Sequence, residues 1–383
     1  MDVVVVGGGI VGLSSTDALA AAGADVTLCE SDSLGTGSIT RSAGGIRTQF
    51  WTRVNVRLSI ESLRVWKSFE ATFGVDIAHR RPGYLFLART PETANRFRES
   101  VAMQRDLGVD SEFLSPTAAV ERCPGLDPDG FVGATYNGAD GFADPNLAVQ
   151  GYATSAREAG IDVRTGTPVV DIVTDGGRVT GVETDAERID TDFVVNAAGA
   201  WAATVADLAG VDLPIHPRRR QIAVVDPSRP VSADVPLTID LEEGSYFRPE
   251  RDGAALVGGH FAETESDADP DAYSDSMGLD WAATAVERAA VYTSYFDGDS
   301  RIRRGWAGLY AVTPDHHLIV EETIAVLVTA AGFSGHGFQH APATGRLVAE
   351  LCTDGEASLV DIEPLSDCRF EDDSDELVEQ NIA

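Results

Sequence analysis

The chain has 383 residues, 43% of them hydrophobic, which is enough for two domains of ordinary size around a sizeable core. Its 61 acidic and 29 basic residues give a formal net charge of -32, and Lys67 is the only lysine. Nucleic acid and anionic membrane surfaces are disfavoured as partners, because neutralising phosphates needs basic surface.

No run approaches the length of a membrane span and no charged-then-apolar leader precedes the first strand, so a cytoplasmic location is expected. So acidic and lysine-poor a chain suits molar salt, where the Debye length falls to about 3 Å and self-repulsion is screened. A plain soluble acidic protein is the alternative. Cys29, Cys123, Cys352 and Cys368 have no paired spacing, which points to neither a zinc site nor a disulfide framework; no metal is expected.

Val3 to Val6 are four β-branched residues in a row and read as a strand buried on both faces. Gly7-Gly8-Gly9-Ile10-Val11-Gly12 then turns sharply into a helix whose free N–H groups would face a pyrophosphate. A second strand, Asp25 to Cys29, ends at Glu30 and Ser31, about 20 residues on, where a carboxylate can accept from ribose hydroxyls. This is a dinucleotide site, and the motif alone does not separate NAD from FAD.

The next segment, Gly35 to Arg47, is a long loop of small residues that includes Ser38, Arg41, Ser42, Ala43, Gly44 and Gly45. A nicotinamide-binding fold would start another strand–helix unit here, so the loop favours a flavin. Val56, Ile60, Leu63, Phe69 and Phe73 follow at helical spacing up to Gly74, and the aromatics read as core. Short strands begin at Tyr84 to Leu87; helices start near Thr90-Pro91 and at Ser115-Pro116, and Asp144-Pro145 opens one through Arg157. Ile161 to Arg164, Val169 to Thr174, Val179 to Glu183 and Ile189 to Asn196 read as strands separated by glycine turns.

Beyond Pro214, Gln221 to Val225 and Leu237 to Leu241 read as strands. Ser245 to Arg248 and Ala254 to Gly259 form a hairpin around Arg251-Asp252-Gly253. The acidic stretch Glu263 to Asp275 is expected as a solvated loop, and Leu279 to Tyr295 as a helix. A strand at Ala325 to Thr329, a glycine turn from Gly332 to Gly337 and a helix through Leu351 follow. The tail after Glu371 is expected to fray. Val194 to Trp201 is a strand entering a small-residue turn, which fits a tightly packed strand end as well as close approach of a cofactor.

With these motifs the chain resembles the flavoenzymes that oxidise amino acids and amines, a family that includes glycine oxidase, sarcosine oxidase and its β subunit, dimethylglycine dehydrogenase and D-amino-acid oxidases. The resemblance runs through nearly the whole chain. It rests on Gly7, Gly9 and Gly12 with Glu30, on Gly37-Ser38 through Arg47, and on Asn196-Ala197-Ala198-Gly199-Ala200-Trp201. Gly305-Trp306-Ala307-Gly308-Leu309-Tyr310, Thr313-Pro314-Asp315 and Gly332-Phe333-Ser334-Gly335-His336-Gly337-Phe338 complete it and look most like the sarcosine oxidase β-subunit branch.

What the resemblance implies is an α/β protein. Residues 1–80, 144–214 and 311–371 would form a discontinuous Rossmann-like FAD-binding domain. Residues 81–143 and 215–310 would form an inserted α+β substrate domain on a mainly antiparallel sheet, and 372–383 an acidic tail. Further cofactor contacts are implied at Val169, Val170, Gly308, Gly332, Ser334, His336 and Gln339. Gly335, Gly337 and Phe338, at a helix N-terminus, would supply N–H groups near the flavin pyrimidine edge.

Arg47 matches the arginine that holds the substrate carboxylate in sarcosine oxidases, a bidentate task suited to a guanidinium. Tyr246 and Tyr310 match pocket tyrosines. Alternation puts Arg248 on the face of Tyr246. His260 matches a pocket histidine, for which a hydrogen-bonded strand-end role fits as well as proton handling. His316 and His317 receive no catalytic role.

Departures from the family pattern carry information. Gln339 stands where some sarcosine oxidases complete the carboxylate clamp with lysine, and Leu256 where monomeric oxidases have an oxygen-activating lysine. That implies a dehydrogenase passing electrons to another protein or a quinone rather than a fast oxidase. Gly308 and Arg41 stand where relatives attach flavin through cysteine or histidine, which implies non-covalent FAD. The expected donor is a small amino acid such as sarcosine, dimethylglycine or proline. Glycine or a D-amino acid, and a flavin-binding subunit without independent turnover, are the alternatives; a partner subunit is left open.

Overall fold

The computed structural model describes residues 1–261, 266–370 and 378–379. Its central layer is a six-stranded sheet in the order Ile319–Ile324, Leu327–Ala331, Phe193–Asn196, Asp2–Val6, Asp25–Cys29, Asp162–Arg164. All pairs are parallel except the first, which is antiparallel. The valines of the first strand put it in the middle: Val3, Val4, Val5 and Val6 are at most 6% exposed. Burying each is worth about 2 kcal/mol.

Helix Ile10–Ala21 leaves the first strand and packs against helix Gly337–Asp354. A Cβ on Gly345 would overlap Ser14, so glycine there lets the two backbones approach, and Ser14 Oγ donates to Ala341 O at 2.9 Å. Helix Arg53–Phe73 crosses the same side and ends at Gly74 in the left-handed region, φ 69°. Of the aromatics expected in its core, Phe69 is 1% exposed and Phe73 partly buried.

The second large sheet has eight strands, in the order Arg301–Val312, His216–Asp226, Ala255–Gly259, Ser245–Pro249, Leu237–Asp240, Tyr84–Ala88, Gly133–Asn137, Glu112–Leu114. It is antiparallel apart from the pair between Tyr84–Ala88 and Leu237–Asp240. The hairpin forms as expected around Arg251–Gly253. Thr90, Ser115 and Asp144 cap their helices through side-chain oxygens, each ahead of a proline in the first turn.

Two expectations need correction. The strand expected from Ile189 to Asn196 is two strands. Arg188–Asp190 joins a separate three-stranded sheet with Val169–Asp175 and Arg178–Thr184, and Phe193–Asn196 joins the central sheet. Thr191 and Asp192 make the break, their N–H groups donating to Thr180 O and Asp2 O.

The described part of the acidic stretch, residues 266–275, is a largely exposed loop as expected, and two of its carboxylates have partners. Glu263 lies outside the described residues, but Asp267 pairs with Arg218 at 2.6 Å and Asp271 accepts from Trp201 Nε1 at 2.7 Å.

The tail does not simply fray. Val378 and Glu379 are described, and Glu379 is fully buried, accepting from Trp51 N, Thr52 Oγ1 and Asn55 Nδ2 at the start of helix Arg53–Phe73. A helix N-terminus attracts a carboxylate. The rest of the tail, 371–377 and 380–383, lies outside the described residues.

Candidate functional site

Residues of both large sheets wall a cavity of about 630 Å³. At one end Gly7, Gly9, Ile10 and Val11 line it. Gly9 caps helix Ile10–Ala21 with no side-chain bond and no acid in the first turn. A Cβ on Gly9 would meet nothing within 4 Å, so the turn leaves open space at the helix start. Gly12 is not on the wall; it lies beneath the turn, where any Cβ would overlap the Gly7 carbonyl.

Glu30 lines the cavity, its carboxylate held by Gly8 N at 2.7 Å and Asp32 N at 2.8 Å, with Ser31 Oγ at 3.2 Å. Val169, Val170, Ala197, Ala198, Gly199 and Trp201 continue the wall. Asn196 shapes that turn, donating to Ala202 O and accepting from Ala198 N.

Ser38, Arg41, Ser42 and Ala43 line the middle. The Arg41 guanidinium turns back on Thr36 O at 2.6 Å and Gly37 O at 3.0 Å. Its stem crosses Gly308, whose Cβ would stand 2.8 Å from Arg41 Cβ. The two positions at which relatives attach flavin are therefore in contact, and neither carries a cysteine or histidine. Gly44 and Gly45 stand behind the wall, against Ala143 and the Tyr84 hydroxyl.

At the far end Gly335, Gly337 and Phe338 line the cavity at the start of helix Gly337–Asp354, which also has no side-chain cap and no acid in its first turn. Gly335 has φ 95°, and its bare face carries the Tyr310 ring. Two uncapped helix N-termini and a carboxylate at ribose spacing fit a dinucleotide with a ring that carries negative charge.

Gly332, Ser334, His336 and Gln339 do not line the cavity. Gly332 and Ser334 pack on Thr313, whose N–H donates to Ser334 Oγ. Gln339 Oε1 accepts from Arg47 N at 2.8 Å, and its carbonyl accepts from Trp66 Nε1. Gln339 thus seats Arg47 instead of completing a clamp. His336 Nε2 accepts from Arg47 Nη2 at 3.0 Å. Burial first, then the guanidinium, holds His336 well below the usual imidazole range, so the ring is neutral.

Arg47, expected on the substrate carboxylate, is 5% exposed and is not on the wall; its guanidinium stacks 4.3 Å over Phe50. Two buried acids that sequence reasoning missed flank its segment. Glu379 holds Trp51 and Thr52. Asp140 accepts from Thr48 N at 2.9 Å, Thr48 Oγ1 at 2.8 Å, Asn137 Nδ2 at 3.2 Å and Gln49 Nε2 at 3.2 Å. Burial pushes the Asp140 carboxyl up to about 6 against those bonds. Arg248 shares the face of Tyr246 but is engaged by Ala43 O and Glu250 and is also off the wall.

Tyr246, His260 and Tyr310 line the cavity beside the Gly335 turn. The His260 and Tyr310 rings meet edge to face at 6.0 Å. Burial raises both phenols, and burial with the Arg220 guanidinium pushes His260 down to about 3, so all three are uncharged near neutrality. Arg220, Asp271 and Tyr273 also line the cavity and went unnoticed in the sequence. Period-two alternation along Arg218-Arg219-Arg220 was the available signal for the first. Among the described residues no cluster of acids, histidines and cysteines is placed to hold a metal, and no helix is long and apolar enough to cross a membrane.

Residues 2–351 match the family model described as DAO, FAD dependent oxidoreductase. The chain is 30% identical over its whole length to FAD-dependent oxidoreductase domain-containing protein 1 of Xenopus laevis, covering 84% of that protein. It is 28% identical to sarcosine oxidase subunit beta of an Arthrobacter species, over 97% of this chain and 91% of the other. The crystal structure of L-proline dehydrogenase from P. horikoshii superposes with a TM-score of 0.87 at 33% identity, over 97% of both chains. The chain belongs to the DAO family of FAD-dependent oxidoreductases, enzymes that act on the C–N bonds of amino acids.

Proposed function

We propose that this enzyme oxidises the C–N bond of a small α-amino acid bearing a secondary or tertiary amine, of the size of sarcosine, dimethylglycine or proline, and acts as a dehydrogenase. The observation that carries this reading is the uncharged box of Tyr246, His260 and Tyr310 beside the Gly335 turn. Similarity to a protein titled L-proline dehydrogenase supports the secondary amine.

FAD, when bound, supplies the two-electron acceptor. The N-terminus of helix Ile10–Ala21 and the Glu30 carboxylate would hold its nucleotide part, and the N-terminus of helix Gly337–Asp354 would offer positive potential to a ring that gains negative charge. Tyr246 and Tyr310, which line the cavity, would confine a small substrate. Neutral His260 can accept a hydrogen bond from the N–H of a secondary amine but is too weak a base to deprotonate an ammonium near pH 7. The amine therefore reacts in its free-base form. Arg47 serves from behind the wall, fixing His336 and with it the glycine turn.

The dehydrogenase assignment draws on Leu256, which is 1% exposed and packed in an apolar cluster with Phe86, Ile222 and Tyr246, leaving no lysine there for dioxygen. The test is anaerobic mixing of the FAD-loaded protein with sarcosine, dimethylglycine, proline, glycine and D-amino acids while flavin absorbance is followed, then admission of air. Bleaching by the secondary and tertiary amines with slow recovery in air is expected. Preferential bleaching by glycine or a D-amino acid, or rapid peroxide release, would overturn the corresponding part.

A further inference from the structure

The described part of the connection between strand Ala255–Gly259 and helix Leu279–Tyr292, from Ser266 to Gly278, borders the cavity. Both of its ends are fastened to the eight-stranded sheet. Near the start, Asp267 Oδ1 stands 2.6 Å from Arg218 Nη1, and Ala268 N donates to Pro217 O at 2.8 Å. Near the end, Arg219 donates to Ser274 O and Ser276 O, Ala307 N donates to Asp275 O at 2.7 Å, and Gly278 N donates to Gln221 Oε1 at 2.8 Å. The middle reaches over to the other sheet. Asp271 Oδ1 accepts from Trp201 Nε1 at 2.7 Å, and Trp201 belongs to the turn after central strand Phe193–Asn196. Asp275 Oδ2 stands 3.6 Å from Arg41, in the loop after the second central strand.

Asp271 and Tyr273 line the cavity, yet Asp271, Ala272 and Ser274 are exposed to solvent, so the wall is one chain thick here. At the cofactor end the wall also includes Val6, Ile10 and Val11, each at most 8% exposed and set in the core. Within Ser266–Gly278, Met277 is the one residue packed on a hydrophobic cluster. Lifting the segment breaks polar contacts and little apolar packing, which is what local opening requires.

We propose that Ser266–Gly278 is a clasp that gates the entry and release of FAD, held shut by the bond between Trp201 and Asp271. The inference does not depend on which amino acid is oxidised. The clasp meets the central domain at Trp201 and Arg41, which stand on the cofactor part of the wall, and this favours FAD over the substrate as the molecule gated. Its ends stay bonded to the sheet as hinges while the middle lifts away from the indole. The closing bond joins two parts of the protein, in the loaded and the empty chain alike. Weakening it therefore speeds entry and release by one factor and leaves affinity where it was. A residue that merely touches the cofactor changes release and affinity together.

The experiment compares wild type with Trp201→Phe, which keeps a ring and removes the N–H, with Asp271→Ala, and with the double variant. FAD release is read from flavin fluorescence after dilution of the loaded enzyme, and the dissociation constant from titration. Each single variant is expected to release FAD about threefold to tenfold faster with a dissociation constant within about twofold of wild type. The double variant should be no faster than the quicker single one, since both remove the same bond. Unchanged release overturns the proposal. So does a dissociation constant that rises in step with release, which would make these residues plain cofactor contacts, and so do additive effects in the double variant. If Trp201→Phe does not retain FAD, Asp271→Ala and Asp271→Asn are judged by the same comparison of rate with affinity. Faster flavin reduction by amino acids with unaltered FAD release would assign the clasp to the substrate and defeat the proposal.

Discussion

Replacing Asp140 by asparagine tests how the Arg47 segment is held. The carboxylate gathers four donors from Thr48, Gln49 and Asn137 and is fully buried. Asparagine keeps the shape but offers one oxygen and turns an NH₂ toward donors, so at least one bond is lost, at about 1–3 kcal/mol. Ionisation adds an opposing effect. The folded-state pKa is raised from 3.8 to about 6, so the folded protein binds the proton more tightly than the unfolded chain. The associated stability is fully present below pH 3.8 and is lost as pH rises through about 6, a span of about 3 kcal/mol. Urea unfolding of both proteins between pH 4 and 7.5 reads this directly. The stability of wild type minus Asp140→Asn should decline with rising pH and flatten above 7. A difference that is flat across the range, or that grows with pH, would show that Asp140 is not the strained acid described here.

Other outcomes follow from the same contacts. Glu30→Ala should weaken FAD roughly tenfold to a hundredfold, measured by flavin fluorescence on dilution, because it removes the ribose acceptor and loosens Gly8 and Asp32 together. Gly335→Ala should lower stability by about 2–4 kcal/mol, combining a positive φ with overlap on the Tyr310 ring, and should raise KM; an unchanged melting temperature would contradict that packing. Because His260 is neutral down to about pH 3, kcat/KM between pH 5 and 9 should track the substrate amine and keep its shape in His260→Asn. Glu379→Ala should destabilise the start of helix Arg53–Phe73, seen as faster amide exchange at Trp51 and Asn55 with the flavin site intact.

The legible parts of the sequence were those whose cause is local. The Gly7 to Gly12 turn and the caps at Thr90, Ser115 and Asp144 depend on residues a few positions away, while the valine run and the spacing to Glu30 announce themselves by composition and position. Asp140 and Glu379 were not legible, since their partners lie 92 and 328 positions distant. Ile189 to Asn196 looked continuous because its β-branched residues satisfy either sheet; only the partners of Thr191 and Asp192 divide it. His336 and Gln339 belonged to the right motif, but a helix start turns some residues toward the cavity and others into the core, and that rotation is set by packing on Arg47 and Trp66.

The bond between Ser14 and Ala341 joins residues 327 positions apart. At about 5–20 residues per second, ribosomal synthesis separates those partners by roughly half a minute. Through that interval the face of the first helix that later meets helix Gly337–Asp354 has nothing to pack against, and strand Phe193–Asn196 lacks its neighbour Leu327–Ala331. The nascent chain can present the Gly7 turn early but cannot close a cavity around a flavin until nearly all of it has been made. Cofactor capture therefore follows completion of the central sheet, and until then the first helix lacks its partner from the far end of the chain.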